Sequence, residues 1–275
     1  MIDLSAGLSP STLEAVADLE RRVVEADGGR LKLEWNALRR RDGERVEDVL
    51  WWDGDRLLGF LGIYAHGAPT LELAGMVDPA ARRTGIGTAL LDAAETVLAG
   101  REHDAVLLVV PRPSAGGRAL AERRGGRLEH SEHALELHGE PAEVTSHPAI
   151  SVREATPADR EPLREILRLA FGWEPREAVD PNTLTVELDG TPIGTARLET
   201  QEGRAGIYGF AIHPDQQGRG YGRDVLHRLC RRAGTPVVHL EVATDNDRAL
   251  GLYTSIGFRP VITEDYYALP TRRTE

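Results

Sequence analysis

Cysteine, lysine and long apolar runs are almost missing from this chain of 275 residues. Cys230 is the one cysteine, which excludes an internal disulfide framework and a cysteine-based zinc site and suits a reducing cytoplasm. Its place beside Val225, Leu226 and Leu229 on the apolar side of a helical stretch reads as core filling rather than as a nucleophile. Lys32 is the one lysine, and the remaining basic residues are arginine, a mark of genome composition that says nothing about mechanism. Positive charge is also the minority sign. With 33 Lys and Arg against 44 Asp and Glu, the net charge is −11 and the pI about 5.4, which argues against general nucleic-acid binding. The acidity fits an amine substrate, and equally an ordinary soluble surface. No apolar run reaches the ~18 residues that a membrane-spanning helix needs. The start, MIDLSAGLSPSTLE, lacks the basic and apolar segments of a secretory leader. A cytoplasmic monomer or homodimer is expected, without metal, membrane or nucleic-acid partner.

What the chain does have is glycine in telling places. The stretch GIYGFAIHPDQQGRGYGR, Gly206 to Arg223, reads as a strand to Ile212, a turn at His213-Pro214-Asp215, and a glycine-rich loop over Gln217, Gly218, Arg219, Gly220, Tyr221 and Gly222. A helix follows, with Val225, Leu226, Leu229 and Cys230 on one side. Glycines ahead of a helix let the backbone approach a ligand, and the first N–H groups of that helix then attract an anion. A Walker loop is excluded because no Gly-Lys-Ser or Gly-Lys-Thr is present, and Gly218, Gly220 and Gly222 do not have the G-x-G-x-x-G spacing of a dinucleotide fingerprint.

The same unit occurs 135 residues upstream. Leu71 to Val77 reads as a strand, Asp78-Pro79 as the turn, and Arg82-Arg83-Thr84-Gly85-Ile86-Gly87 as the loop, with Thr88 opening a helix striped by Ala89, Leu90, Ala93, Ala94, Val97 and Leu98. Two copies of one domain follow from this. In the first, Ser11-Thr12-Leu13-Glu14 has the form of a capping box, helices cover the region after it and Leu33 to Arg40, and Asp53-Gly54 joins the strands Val46 to Trp52 and Arg56 to Ala65. In the second, Thr156-Pro157-Ala158-Asp159 starts a helix, and Asp189-Gly190 joins Leu184 to Leu188 and Pro192 to Leu198. Each copy is expected to end in a buried strand, a helix and two more strands. Residues 139–148, with two prolines and no periodicity, read as a linker between domains at 1–140 and 149–275.

The pattern Gln217-x-x-Gly220-x-Gly222, and Arg82-x-x-Gly85-x-Gly87 in the first copy, resembles the acetyl-CoA pyrophosphate loop of the GNAT superfamily of acyl-CoA N-acyltransferases. The order of elements in both halves is similar to that family's. The resemblance implies an α/β fold of two tandem GNAT domains, each a mostly antiparallel, splayed mixed sheet with helices on both faces. It implies acetyl-CoA as co-substrate and a small-molecule amine as acceptor. The carrier's pantetheine would run along the backbone at Ala211 and Ile212, and its pyrophosphate would sit on Gly218 to Arg223, with Arg219 and Arg223 adding charge.

The segment Asn246-x-x-Ala249-x-x-x-Tyr253-x-x-x-Gly257-Phe258 resembles the family's asparagine, tyrosine and Gly-Phe segment. It implies Tyr253 as general acid for the departing thiolate and Asn246 as a carrier contact, although Asn246 also suits an ordinary N-cap. In the first half, aligning Gly125 with Gly257 puts Ala121 and Ser114 at those two places. The second half is therefore expected to be catalytic. The first, through Arg82, Arg83, Thr84, Gly85, Ile86, Gly87 and Thr88, is expected to be at most a degenerate carrier site.

The general base is left open. His239 and Glu241 share one face of the strand Val237 to Val242, and Glu199, Glu202 and Tyr208 are further candidates. More distantly, the tandem and the ending Glu264 to Leu269 resemble the mycothiol synthases, which acetylate a cysteinyl amine on an inositol glycoside. Against that pattern, Gly206 stands where a glutamate is expected and Glu199 near an expected lysine. An acyl-CoA-binding protein without turnover is the alternative from another class.

Overall fold

The computed structural model describes residues 1–65, 70–172, 178–201 and 203–270. In the first half, β1 (Ile2–Ser5) precedes α1 (Pro10–Asp27) and α2 (Trp35–Arg39). Next come β2 (Asp48–Asp53), β3 (Arg56–Ala65), β4 (Thr70–Val77), α3 (Ile86–Leu98), β5 (Ala105–Pro111), α4 (Ala115–Arg123) and β6 (Arg127–His138). The second half runs β7 (Ile150–Glu154), α5 (Arg160–Phe171), β8 (Thr183–Leu188), β9 (Thr191–Gln201) and β10 (Arg204–Ile212). It continues with α6 (Tyr221–Ala233), β11 (Val237–Ala243), α7 (Asp247–Ile256) and β12 (Arg259–Leu269). Each half closes on one long strand where two were expected.

Local chemistry explains most of these boundaries. Ser9, not Ser11, caps α1: its hydroxyl accepts the Thr12 N–H at 3.1 Å, because Pro10 is suited to the first helical position and fixes the start two residues earlier. Thr156 and Pro157 begin α5 through a single tighter turn, as expected. Asp159 accepts from the Thr156 N–H at 2.7 Å and from its hydroxyl at 2.8 Å. The hairpin β8–β9 turns on Asp189 (φ 49°) and Gly190 (φ 79°), two left-handed residues whose twist matches that of the flanking strands.

The chain forms two compact units. One contains residues 1–131 and 262–275, the other residues 132–261. The division therefore does not fall at residues 139–148. The later part of β6 pairs antiparallel with β11, from Glu132↔Ala243 to His138↔Val237, so the first half supplies a strand to the second unit. The end of β12 pairs antiparallel with β5, from Glu264↔Pro111 to Leu269↔Val106, and so returns to the first unit. The strand order is β1-β2-β3-β4-β5-β12 in the first unit and β6-β11-β10-β9-β8-β7 in the second.

Within each unit the strands pair antiparallel except at one central pair, β4–β5 and β10–β11, which is parallel. Helices cover both faces. In the first unit Leu90, Leu91 and Ala94 of α3 pack on one side and Val16, Leu19 and Val23 of α1 on the other. In the second, Val225, Leu226 and Leu229 of α6 fill one side, and Leu163, Ile166 and Leu167 of α5 meet Ala211 on the other. Apolar alternation along β11 (Val238, Leu240, Val242) points that strand's core face toward α6 and α7 and leaves His239 and Glu241 on the opposite face.

Candidate functional site

The parallel pair of the second unit opens early. Arg204, Ala205 and Gly206 pair with Val237, Val238 and His239, and there the ladder stops, although β10 continues to Ile212. Beyond Gly206 the β11-facing backbone groups of β10 have no ladder partner among the described residues. A bulge lies in the same stretch. The register with β9 shifts between Tyr208↔Arg197 and Ala211↔Thr195, so Gly209 and Phe210 stand opposite Ala196 alone. Gly209 has φ 55°, a left-handed value that any side chain would strain. Ala211 and Ile212, both buried, follow the bulge and lead into the loop.

The loop is built to leave N–H groups free. Gly218 (φ 79°) and Gly220 (φ 86°) are both left-handed, and Gly220 is the N-cap of α6. Helical bonding begins when Arg223 and Asp224 donate to the Gly220 carbonyl at 3.1 and 3.3 Å. The N–H groups of residues 218–222 therefore have no backbone acceptor among the described residues, and they cluster at the positive end of the helix. Tyr221 and Gly222 form the first turn, where a Cβ on Gly222 would come into ordinary contact with Leu252 of α7 at 3.4 Å. Arg219 and Arg223 are exposed and make no ion pair among the described residues. Gln217 works differently: its amide donates to the Ile212 carbonyl at 2.8 Å, and its oxygen accepts from Arg248 at 2.8 Å. Its side chain fastens the loop to the end of β10.

Asn246 and Tyr253 stand at the cap and on the length of α7. Asn246 is the N-cap of α7, its side-chain oxygen taking the Ala249 N–H at 3.0 Å, which leaves the amide donors for another partner. Tyr253 is buried, with its ring 6.2 Å from that of Phe258. Burial alone pushes its phenol up to about 12, and the hydroxyl makes no hydrogen bond among the described residues. It is therefore protonated over the whole working range. Burial likewise pushes the Cys230 thiol up to about 12, which removes it as a nucleophile.

On the opposite face of the sheet, the parting point of β10 and β11 carries polar side chains. Gly206 pairs with Glu199 on one side and His239 on the other. The space a side chain would take at 206 is filled by Tyr208, whose hydroxyl would lie 2.6 Å from an added Cβ. That placement brings the Tyr208 hydroxyl within 3.3 Å of His239 Nε2. The Arg197 guanidinium lies 5.0 Å from the Tyr208 ring centre, with its Nε 3.3 Å from Glu199 and one Nη 3.5 Å from Asp180. Of the candidate bases, His239, Glu199 and Tyr208 come together here. Glu241 lies two residues along β11 on the same face, opposite Ala134 of β6. Glu202 lies outside the described residues. Arg197 and Asp180 had no sequence signal.

The first unit has no matching bulge, and its parallel pair holds for longer. β4 stays in unbroken register with β3 from Ala65↔Leu71 to Gly59↔Val77, with no bulge, and holds β5 as far as Ala74↔Val109. Its loop is engaged with its own surroundings. Arg82 forms a two-pronged pair with Asp27 at 2.8 and 2.7 Å and also donates to the Val77 carbonyl, as Gln217 does to Ile212. Arg83 is left-handed at φ 64° without being glycine, Thr84 donates to the Ala81 carbonyl, and the Thr88 carbonyl accepts from Arg124. Gly85 caps α3, Ile86 is buried in the core, and Gly87 sits between Leu120 and Val77. Ser114 caps α4 as Asn246 caps α7, but Ala121 occupies the place of Tyr253.

Parted parallel strands ending on a glycine loop and a helix N-terminus are suited to a phosphate-bearing ligand. The chain belongs to the acetyltransferase (GNAT) family, which it matches twice, over residues 13–125 and 150–258. It is an N-acetyltransferase of that family, and acetyl-CoA is the family's co-substrate. Among its relatives, the mycothiol acetyltransferase of Kytococcus sedentarius is 32% identical over 96% of each chain. The N-alpha-acetyltransferase RimI of Mycobacterium tuberculosis is 35% identical, over 43% of this chain and 84% of its own. Among solved structures, a GCN5-related N-acetyltransferase from Sphaerobacter thermophilus superimposes with a TM-score of 0.79 at 21% identity, covering all of this chain and 97% of that one. A tandem GNAT protein from the clavulanic acid biosynthesis pathway gives 0.70 at 18% identity over the whole of both.

Proposed function

We propose that the second unit is the catalytic one and transfers an acetyl group from acetyl-CoA to the primary amine of a small molecule. The observation that carries this reading is the parting of β10 and β11 after only three pairs, against five in the β4–β5 pair, together with the Gly209 bulge, which has no counterpart in the unbroken β3–β4 register. In this account the free N–H groups of residues 218–222 bind the carrier's pyrophosphate, helped by Arg219 and Arg223, while the backbone at Ala211 and Ile212 lies along its pantetheine arm. A backbone N–H on the unpaired edge of β10 stabilises the oxygen on which negative charge develops. Asn246 contributes its free amide donors to the carrier. The amine attacks the thioester carbon directly.

Tyr253 supplies a hydrogen bond to the leaving sulfur. A phenol near 12 is a weaker acid than a thiol near 8.5, so complete transfer of its proton is uphill. Its contribution is to stabilise the developing thiolate as a donor, with the proton drawn from solvent at product release.

On the acceptor side, His239, held by Tyr208, takes the proton that the amine must lose, directly or through water. Glu199 and Glu241 set a negative field that draws in a cationic amine. The simplest test is release of CoA thiol in the presence of a panel of small amines, aminoglycosides and peptides. No release with any of them would refute the reading.

A narrower reading is favoured by the 32% identity to a mycothiol acetyltransferase along nearly the whole chain: the acceptor is the cysteinyl amine of a glycoside. Here the paired changes at Gly206 and Glu199 put the acceptor-side carboxylate on β9, beside Arg197. Comparison of kcat/KM for a cysteinyl glycoside and for simple amines separates the two readings.

A further inference from the structure

The segment that reads as a linker ends on a histidine fixed against the glycine loop. The His147 N–H donates to the buried Asp224 carboxylate at 2.9 Å, and its carbonyl accepts from Ile150 N–H at 3.0 Å and from Arg228 at 3.3 Å. Arg228 also bonds the Ser146 hydroxyl at 2.8 Å and holds Asp224 itself at 2.8 and 3.1 Å. Burial raises the Asp224 carboxyl, but the Arg228 bonds and the His147 N–H outweigh it and keep the group below its usual range. The buried carboxylate thus ties the end of the linker to the first turn of α6.

The tether aims the imidazole at the loop. Its Nε2 would lie 3.0 Å from a Cβ placed on Gly220, the N-cap, and its ring meets the Tyr221 ring edge-on at 5.1 Å between centres. Neither ring nitrogen makes a hydrogen bond among the described residues. Backbone anchoring at several points holds the half-buried ring beside the loop with its nitrogens available for hydrogen bonding, close enough to the Asp224 carboxylate to act on it electrostatically.

We propose that His147 is a carrier-binding residue: its imidazole N–H donates to a phosphate of the CoA nucleotide seated on the Gly220 loop. The inference rests on the assignment of that loop to the carrier's phosphates. The neutral ring suffices, since one of its nitrogens always bears a proton. Gly220 is required at its position both by its left-handed φ and by the space the imidazole occupies.

The test uses the full chain, calorimetric titration with acetyl-CoA, and kinetics with both acetyl-CoA and S-acetylpantetheine, which has no nucleotide phosphates. His147→Ala is expected to weaken acetyl-CoA binding about tenfold, the scale of one lost hydrogen bond to a charged group. It should leave kcat/KM for S-acetylpantetheine unchanged, and His147→Gln, which keeps an N–H donor, should recover most of the affinity. An unchanged dissociation constant for His147→Ala, or an equal loss with both thioesters, would overturn the assignment of His147 while leaving the loop's role standing. If Gly220→Val binds acetyl-CoA as the wild type does, the loop assignment itself fails.

Discussion

At the scale of single residues, the chemistry turns on groups whose environment differs from that of their counterparts in the first half. Tyr253 and Ala121 hold matching places, yet only the former has a hydroxyl, kept protonated by burial. Tyr253→Phe is expected to lower kcat by about 10- to 100-fold and leave the calorimetric dissociation constant of acetyl-CoA unchanged, the pattern of an interaction made only as the sulfur departs. At Gly206 a Cβ would meet the Tyr208 ring at 2.5 to 2.7 Å, so Gly206→Ala must displace Tyr208 from His239. A fall in kcat/KM for the amine, with acetyl-CoA affinity retained, is the expected kinetic result. Where the tyrosine, the asparagine and the loop residues lie was legible in the sequence, because their spacing is fixed by one helix or one turn. The pairing of Tyr208 with His239 was not, because it depends on a glycine making room two residues away on the same strand. Gln217 was legible only as part of the loop motif; its side chain proves to be a fastener between loop and strand.

At the scale of elements, the bulge and the loop shape the proposed carrier site. Both depend on left-handed backbone that glycine adopts without strain. Gly209→Ala forces a Cβ into φ 55°, at a cost of about 1–2 kcal/mol. Chemical denaturation should show that loss, and kcat should fall by more than the small loss of folded protein explains. Asp159 provides a prediction at the start of α5. The Arg153 guanidinium, at 2.7 Å from each oxygen, together with the Thr156 donors, holds its carboxyl well below the usual range despite burial. Because the folded value is the lower one, the stabilisation is present above about 3.9, the unfolded value, and is lost as pH falls toward the folded value. Asp159→Asn should be less stable than the wild type at pH 7, by roughly 1–3 kcal/mol, with the difference shrinking in acid. Helices and hairpins were legible because periodicity and turn residues are local signals. The splay of the sheet was anticipated only through resemblance to the family, and Gly-Phe in a strand does not by itself announce the extra residue of the bulge. The start of α1 was placed two residues late because a Ser-Pro pair outweighed the capping-box pattern.

At the scale of the whole molecule, the repeat along the chain and the compact units do not coincide. Residues 132–138 complete the second unit and residues 262–269 complete the first, so a cut at the linker removes a core strand from each. A fragment of residues 132–261 should unfold cooperatively in denaturant, whereas residues 149–275 alone should not, because β11 would then expose an unpaired apolar edge. Cooperative unfolding of both fragments would show that β6 is dispensable to the second unit. The duplication was legible because both loops survive in the sequence. The exchange of strands was not, because β6 and β12 have similar patterns and nothing local says which sheet each will join. The central claim is that the second unit alone carries out the transfer. A crystal structure with bound acetyl-CoA tests it most directly. The account predicts the pyrophosphate on residues 218–222, the thioester in the gap between β10 and β11, and the sulfur within hydrogen-bonding reach of the Tyr253 hydroxyl. Acetyl-CoA seated only on the Gly85 loop of the first unit, or with its sulfur remote from Tyr253, would contradict it.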